Sequence, residues 1–329
     1  MTDLTLSKGL HLSLGGGAAR GMAHIGVLKV LEEEGIPIAS ICGSSMGAFV
    51  GGLFALHGNT AAVFEIIRDY ISSDKYSKST IASFSSNDEK DSFAQRIRRG
   101  LLMGKSIAFG KVIPYDEWVG SMNEMIPDKH FKDLHIPFWA TGLDLTRMRE
   151  VLFNDGSLRS AIIASCSIPG VFPPVKADDT VYVDGGWVDK VPVRPLLQFG
   201  AREILAVDVS QTVEIENPEP EKLPGYSVIL KSYAAVQKRL DEIQYEDASC
   251  LWRLPVTHID WSDFSQLENI VQLGETFARE NIQQVRRMLK RQTWWRRSFR
   301  ASAFCRPALP HNYKPIQSVS IGTISPHDS

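Results

Sequence analysis

Gly43-Ser44-Ser45-Met46-Gly47 decides how this chain is read. The form G-x-S-x-G is that of a nucleophile elbow: a strand enters a sharp turn, a serine sits at its tip and a helix leaves at once. Small residues two before and two after the serine let the strand and helix backbones approach closely. The turn holds the serine in a strained conformation and pushes Oγ out of the sheet. The flanks agree. Ile36 to Cys42 reads as a short buried strand, and Ala48 to His57 as a small-residue helix that Gly58-Asn59 can end. Alone the pentapeptide is a weak signal, because Gly and Ser are common.

On the N-terminal side, Gly9 to Leu14 alternates as a strand does. Gly15-Gly16-Gly17-Ala18-Ala19-Arg20-Gly21 follows, and then an amphipathic helix to about Glu34 with Ile25, Leu28 and Leu31 at helical spacing. Consecutive glycines leave backbone N–H groups unhindered, and the next helix adds its positive end, so the loop suits an anion. The anion can be a phosphate or the oxyanion of an acyl-transfer intermediate. A dinucleotide fingerprint is one residue shorter and needs an acid about 20 positions on, whereas the next strand ends in Cys42-Gly43-Ser44-Ser45. No G-x-x-x-x-G-K-[ST] is present, since Arg99 stands where Gly104-Lys105-Ser106 would need the first glycine, which excludes a P-loop.

Gly35 to Phe64 contains no Asp, Glu, Lys or Arg, long enough to suggest a membrane span. Pro37, His57, Asn59 and five glycines interrupt it, and a buried strand-turn-helix explains it better.

On the C-terminal side a helix is expected over Thr60–Tyr70 and loop over Ser72–Asn87. A cationic amphipathic helix is expected over Asp91–Met103, read as a surface helix in preference to a lid or membrane contact. Another helix covers Asp116–Met125. Strands follow at Ile136–Leu143 and Glu150–Phe153, with Asn154-Asp155-Gly156 as a turn, then a helix over Ser157–Cys166. Thr180 to Val183 is a short strand ending at Asp184-Gly185-Gly186, and Glu203–Val209 another buried strand. Asn217–Pro224 reads as a Pro/Glu-rich loop. Tyr226–Tyr245 reads as helix, and Leu267 to Leu289 keeps the period of a long closing helix.

A serine esterase needs a nucleophile, a base and donors for developing negative charge. Asp184 is the best-placed carboxylate, since its strand end and two glycines expose it at a sheet edge. The competing use is an ordinary Asp-Gly turn. Among eight histidines, His258 alone has the late position of a conventional triad histidine.

Composition narrows the class. With 329 residues and 43% hydrophobic, the chain can build one large α/β core. A net charge of −2 gives no field favouring nucleic acid. Four cysteines without C-x-x-C argue against a disulfide framework or zinc site and suit a reducing compartment. Met1-Thr2-Asp3-Leu4 does not read as an export signal.

The glycine loop, the elbow and Asp184-Gly185-Gly186, in that order, resemble the bacterial patatin-like phospholipase family. So do Ala140-Thr141-Gly142-Leu143-Asp144-Leu145, the run from Ala164 to Pro174, Val191-Pro192-Val193 and Phe199-Gly200-Ala201. The resemblance covers roughly residues 9–290. It implies a three-layer α/β/α sandwich with a mostly parallel central sheet, acting on acyl esters of lipids without a metal or other cofactor. By that resemblance Ser45 is the nucleophile and Asp184 the general base, and N–H groups of Gly15, Gly16 and Gly17 line the oxyanion hole. Arg20 orders the loop or meets a lipid phosphate. Gly21, Gly43, Gly47, Gly185 and Gly186 support the motifs. The expected substrate is a phospholipid or lysophospholipid. The alternatives are a non-catalytic regulatory module on the same fold and a Ser-Asp-His hydrolase.

From Asn281 onward nine residues are basic and one is acidic. The expected division is a hydrolase domain over 1–290 and a flexible basic aromatic tail over 291–329. Trp294-Trp295-Arg296-Arg297-Ser298-Phe299-Arg300 suits anionic membrane contact. The expected location is the cytoplasm, with peripheral contact at the inner face of the membrane.

Overall fold

Strand alternation shows how the chain is layered. In a computed structural model describing residues 9–82, 113–210, 225–298 and 314–324, β1 (Leu10–Leu14) sends Leu10, Leu12 and Leu14 into one core. In β3 (Phe138–Asp144) Phe138 and Ala140 join that core, while Trp139 joins a second one on the opposite face. β4 (Arg149–Gly156) divides Val151 and Phe153 from Leu152, and β7 (Ile204–Asp208) divides Leu205 and Val207 from Ile204 and Ala206. Apolar residues on both faces require cover on both faces.

Helices supply it. On the first face lie α1 (Ala23–Glu33), α2 (Met46–His57), α3 (Thr60–Ile71), the short α4 (Asp74–Ser77), α5 (Tyr115–Met125) and α6 (Leu158–Ser165). On the second, α7 (Val193–Gln198) packs Leu196 and Leu197 against Trp139 and Cys42, and α8 (Gly225–Tyr245) lies beyond it. The long α9 (Leu267–Ser298) closes the first face by crossing α1. At that crossing a Cβ on Gly26 would stand 2.1 Å from Val271 O, and one on Gly274 2.1 Å from Ala23 O. The result is the expected three-layer α/β/α sandwich.

The sheet runs β5-β6-β3-β2-β1-β7-β8, with β4 also on β3 and β9 beside β4. Here β2 is Ile38–Gly43, β5 Val175–Ala177, β6 Thr180–Asp184, β8 Cys250–Arg253 and β9 Gln317–Ile321. β3, β2, β1, β7 and β8 are parallel neighbours, while β6 and β4 run antiparallel to β3. β2 pairs with β3 as far as Gly43 opposite Ala140, and β6 takes up the same edge with Asp184 opposite Gly142. The end of β2 and the end of β6 therefore meet, and the elbow turns next to Asp184.

Four expectations change. Asn154-Asp155-Gly156 is not a turn: β4 continues through Gly156, because β9 pairs along it with Asp155 opposite Ser320 and Gly156 opposite Ile321. The boundary at residue 290 falls inside α9. Residues 317–321, expected within a flexible tail, form β9, which covers the outer edge of β4 and buries Ile321 and Ile324. A strand edge leaves backbone donors and acceptors unpaired, so such an addition is favourable. The stretch expected to be loop over 72–87 contains α4, whose Ser73 side chain accepts from Tyr76 N–H. The helix expected over 91–103 and the loop over 217–224 lie outside the described residues. Among the described residues no helix is long and apolar enough to cross a membrane.

Candidate active site

Ser45 has φ 52° and ψ −123°. This is the positive-φ region in which a side chain is strained, so the surroundings must impose it. Gly43 and Gly47 make the geometry sterically accessible. A Cβ on Gly43 would lie 2.4 Å from Gly47 O, and one on Gly47 2.1 Å from Leu14 O. Ser45 N–H donates to Ser165 Oγ at 3.1 Å, which fixes the turn from α6.

Asp184 closes β6. Its N–H donates to Ser167 O at 3.0 Å. Its Oδ1 accepts Gly186 N–H at 2.7 Å, and its Oδ2 accepts the Ser45 hydroxyl at 2.6 Å. A Cβ on Gly185 would meet Thr141 Oγ1 at 2.3 Å, so the turn after Asp184 packs flat against β3. Asp184 is only 3% exposed. Burial pushes its carboxyl up to about 7, against the opposing pull of the Ser45 and Gly186 hydrogen bonds. A carboxylate near that value is a useful base at neutral pH.

The glycine loop lies against Ser45: a Cβ on Gly16 would come within 3.0 Å of Ser45 Cβ. The expectation that Gly15, Gly16 and Gly17 all aim N–H groups at an oxyanion is corrected. Gly15 N–H donates to Val207 O and Gly16 N–H to Lys190 O, both at 3.0 Å. Among the described residues Gly17 N–H and Ala18 N–H donate to no protein acceptor, nor does Met46 N–H at the start of α2. Ala18 has φ 47° and lines the same cavity as Ser45. Sequence reasoning missed Ala18 and Met46, because nothing in their side chains signals a free N–H.

Arg20 is buried and turned away from the cavity's chemistry. Its Nε–H donates to Ile259 O at 2.7 Å with Asp260 nearby, and Ala19 N–H donates to Trp261 O at 2.9 Å. Of its two expected roles, loop ordering is the one this geometry serves. Gly21 is required by a close approach, since its Cβ would stand 2.4 Å from Met46 Cγ.

Among the described residues the triad alternative does not assemble. His258 is exposed on the turn after Val256, and none of the described histidines hydrogen-bonds Ser45 or Asp184. His11 faces Ser40 and His24 faces Gly15 O. His311 and His327 lie outside the described residues. No group of three or more His, Cys, Asp or Glu side chains among the described residues is placed to hold a metal ion.

Ser45 opens onto an apolar cavity of about 70 Å³, walled by Met46, Phe49, Tyr70, Trp118, Met122 and Phe172. Trp118 and Phe172 stack with centroids 3.9 Å apart, giving one wall a rigid aromatic surface. A serine hydroxyl on a carboxylate, free backbone donors beside it and an apolar cavity in front of it are the parts of an acyl-transfer site.

The chain is similar to known proteins. The chain is 28% identical over 297 residues to Lysophospholipase NTE1 of Mycosarcoma maydis, covering 82% of this chain and 14% of that protein. It is 31% identical over 200 residues to Lysophospholipase NTE1 of Cryptococcus neoformans var. neoformans, covering 61% of this chain and 11% of that protein. The chain therefore spans less than a fifth of the length of these two relatives. Both are fungal, so they lend nothing to the bacterial part of the resemblance. Human GIVD cytosolic phospholipase A2 superimposes with a TM-score of 0.45 at 12% identity, over 86% of this chain and 60% of that one. That score is too low to bear on the fold. The family described as Patatin-like phospholipase matches residues 12–197, a span that contains the glycine loop, the elbow and Asp184. With more than half its length in that match, this chain belongs to the patatin-like phospholipase family.

Proposed function

We propose that this protein hydrolyses acyl ester bonds of lipids through an acyl-Ser45 intermediate, with Asp184 as the general base. The observation that carries the reading is the 2.6 Å hydrogen bond from Ser45 Oγ to Asp184 Oδ2, at a cavity with almost wholly apolar walls.

In the first step Oγ attacks the ester carbonyl as its proton passes to Asp184. A free aspartate has a pKa near ~3.9 and a serine hydroxyl is a far weaker acid, so the transfer must accompany attack. Charge develops on the carbonyl oxygen, which Gly17, Ala18 and Met46 N–H groups receive. Collapse expels the alcohol, which takes the proton from Asp184. Water then attacks the acyl-serine with Asp184 again as base, releasing the fatty acid and restoring the Ser45 hydroxyl. The acyl chain occupies the Met46–Phe49–Trp118 cavity.

A lysophospholipid or phospholipid is the proposed substrate class, drawn from the family and from the names of the relatives. The bacterial form of the resemblance rests on the motifs alone. We further infer a cytoplasmic protein, with the basic aromatic stretch 294–300 holding it against anionic lipid. Loss of anionic-vesicle binding on deletion of residues 294–300 tests that part, and equal binding by both forms removes it. The proposed catalytic unit extends past residue 290 to the end of α9, with β9 completing its sheet.

The test of the hydrolase reading is a fluorophosphonate probe with peptide mapping, followed by a lipid panel. Labelling of Ser45, abolished in Ser45→Ala, with release of fatty acid from a lysophospholipid is expected. A folded protein that neither labels nor hydrolyses any ester would favour the non-catalytic module.

A further inference from the structure

His24 sits in the first turn of α1, wholly buried, and the steps above make no use of it. Its Nε2 lies 2.8 Å from Gly15 O. A carbonyl oxygen can only accept, so Nε2 carries the proton and the imidazole is the neutral Nε2–H tautomer. Burial holds its pKa down at about 4, which keeps it neutral across the working range. Nδ1 has no partner in the core. A leucine would fill that space without leaving a buried nitrogen unsatisfied, so packing alone does not account for histidine here.

Gly15 C=O and Gly16 N–H belong to one peptide plane. The N–H end is held by Lys190 O at 3.0 Å, and the C=O end by His24. A plane held at both ends cannot turn about its long axis. This matters because Gly15, Gly16 and Gly17 have no side chains to restrain them. Among the described residues the next two N–H groups, Gly17 and Ala18, have no protein acceptor.

We propose that His24 is a positioning residue, whose Nε2–H locks the Gly15–Gly16 peptide so that Gly17 and Ala18 N–H face the developing oxyanion. The proposal rests on the acyl-transfer reading of the Ser45 site. In that reading, loose donors would have to be reoriented at the moment of reaction, which is the cost that preorganisation removes.

The experiment compares wild type, His24→Gln, His24→Asn and His24→Leu. Glutamine places an amide nitrogen where Nε2 stands and can still donate to Gly15 O, whereas asparagine is too short and leucine has no donor. Amide hydrogen exchange at Gly16 needs no turnover and so stands apart from the hydrolase reading. Faster exchange in the Leu and Asn variants and wild-type protection in Gln is expected. On a soluble short-chain ester, kcat is expected to fall about a hundredfold in Leu and Asn with KM unchanged, and Ser45 fluorophosphonylation to slow in parallel. Gln should restore both to within about tenfold of wild type. If Leu does not fold, the Gln and Asn pair decides. Equal Gly16 protection in all folded variants, or a Gln variant no better than Asn, overturns the proposal. A wild type without hydrolysis would instead sink the acyl-transfer reading, while the exchange result still stands or falls by itself.

Discussion

Ser45 Oγ and Asp184 Oδ2 are 2.6 Å apart although 139 positions separate them in the chain. The contact follows from one shared strand edge: β2 leaves β3 at Ala140, and β6 joins it at Gly142. Among the described residues the hydroxyl donates directly to the carboxylate, with no histidine between them.

A dyad so built makes a clear statement about pH and about histidine. In the proposed mechanism Asp184 must be ionised to accept the proton, and burial places its pKa at about 7. The expected kcat/KM on a soluble ester rises with pH and levels off through a single ionisation near 7. Asp184→Asn should lose about a thousandfold or more, over about 4 kcal/mol in transition-state stabilisation. His258→Ala should keep most of the activity. A flat profile between pH 5 and 8, or collapse in His258→Ala, would remove Asp184 as the base.

The same carboxyl should weaken the fold. Its folded pKa of about 7 lies above the unfolded value of 3.8. Between those values the unfolded chain releases a proton that the folded chain keeps. Asp184 thus costs nothing below the unfolded pKa, costs more as pH rises, and costs most above about 7. Asp184→Asn lacks this term. Urea denaturation should show the variant gaining stability relative to wild type between pH 4 and pH 8, by at most about 4 kcal/mol. His11 and His24, both held down at about 4, are common to the two proteins and cancel. An identical difference at both pH values would contradict the assignment.

Ala18 occupies a backbone conformation that suits glycine, at φ 47°. Ala18→Gly removes that strain but adds freedom to the unfolded chain, and should stabilise the protein by up to about 1 kcal/mol while preserving the N–H donor. Ala18→Val should do the reverse, because a β-branched side chain tolerates this region poorly. Thermal unfolding of both variants decides. A glycine variant less stable than wild type would show that the alanine methyl matters more than its backbone.

Two helical glycines should respond in opposite ways to alanine. At Gly26 the added Cβ meets Val271 O at 2.1 Å and Glu275 N at 2.4 Å, so α9 must lift off α1. A loss of about 2–3 kcal/mol or more is expected. At Gly120 in α5 the nearest atom is Lys75 Nζ at 3.8 Å, and alanine should gain about 0.5–1 kcal/mol from helix propensity. Denaturant midpoints of the two variants measure both, and a Gly26→Ala protein of wild-type stability would contradict the crossing geometry.

The elements that sequence made legible share a cause. The elbow, the glycine loop, the strand at Thr180 and the closing helix at Leu267 announce themselves by local pattern: period two, period 3.6, or a glycine where backbones touch. Asn154-Asp155-Gly156 misled because its turn chemistry is genuine, yet β9 offers it strand partners far along the chain, Ser320 and Ile321. The glycine loop misled in a related way. Three glycines suggest three free donors, but Val207 O and Lys190 O, on segments remote in sequence, take two of them.

The sequence by itself determined which residue types are available for the chemistry and the α/β layering. Turn residues, alternation and small-residue spacing are short-range properties of the chain. Tertiary structure alone decided that, among the described residues, Ser45 reaches Asp184 and no histidine, that Gly17 and Ala18 N–H find no protein acceptor there, and that residues 317–321 add a strand. It also raised the Asp184 carboxyl to about 7. These are consequences of strand order and burial, which bring distant segments together and remove water from a charge. Neither pairing across the sheet nor desolvation is written in any window of residues short enough to read directly.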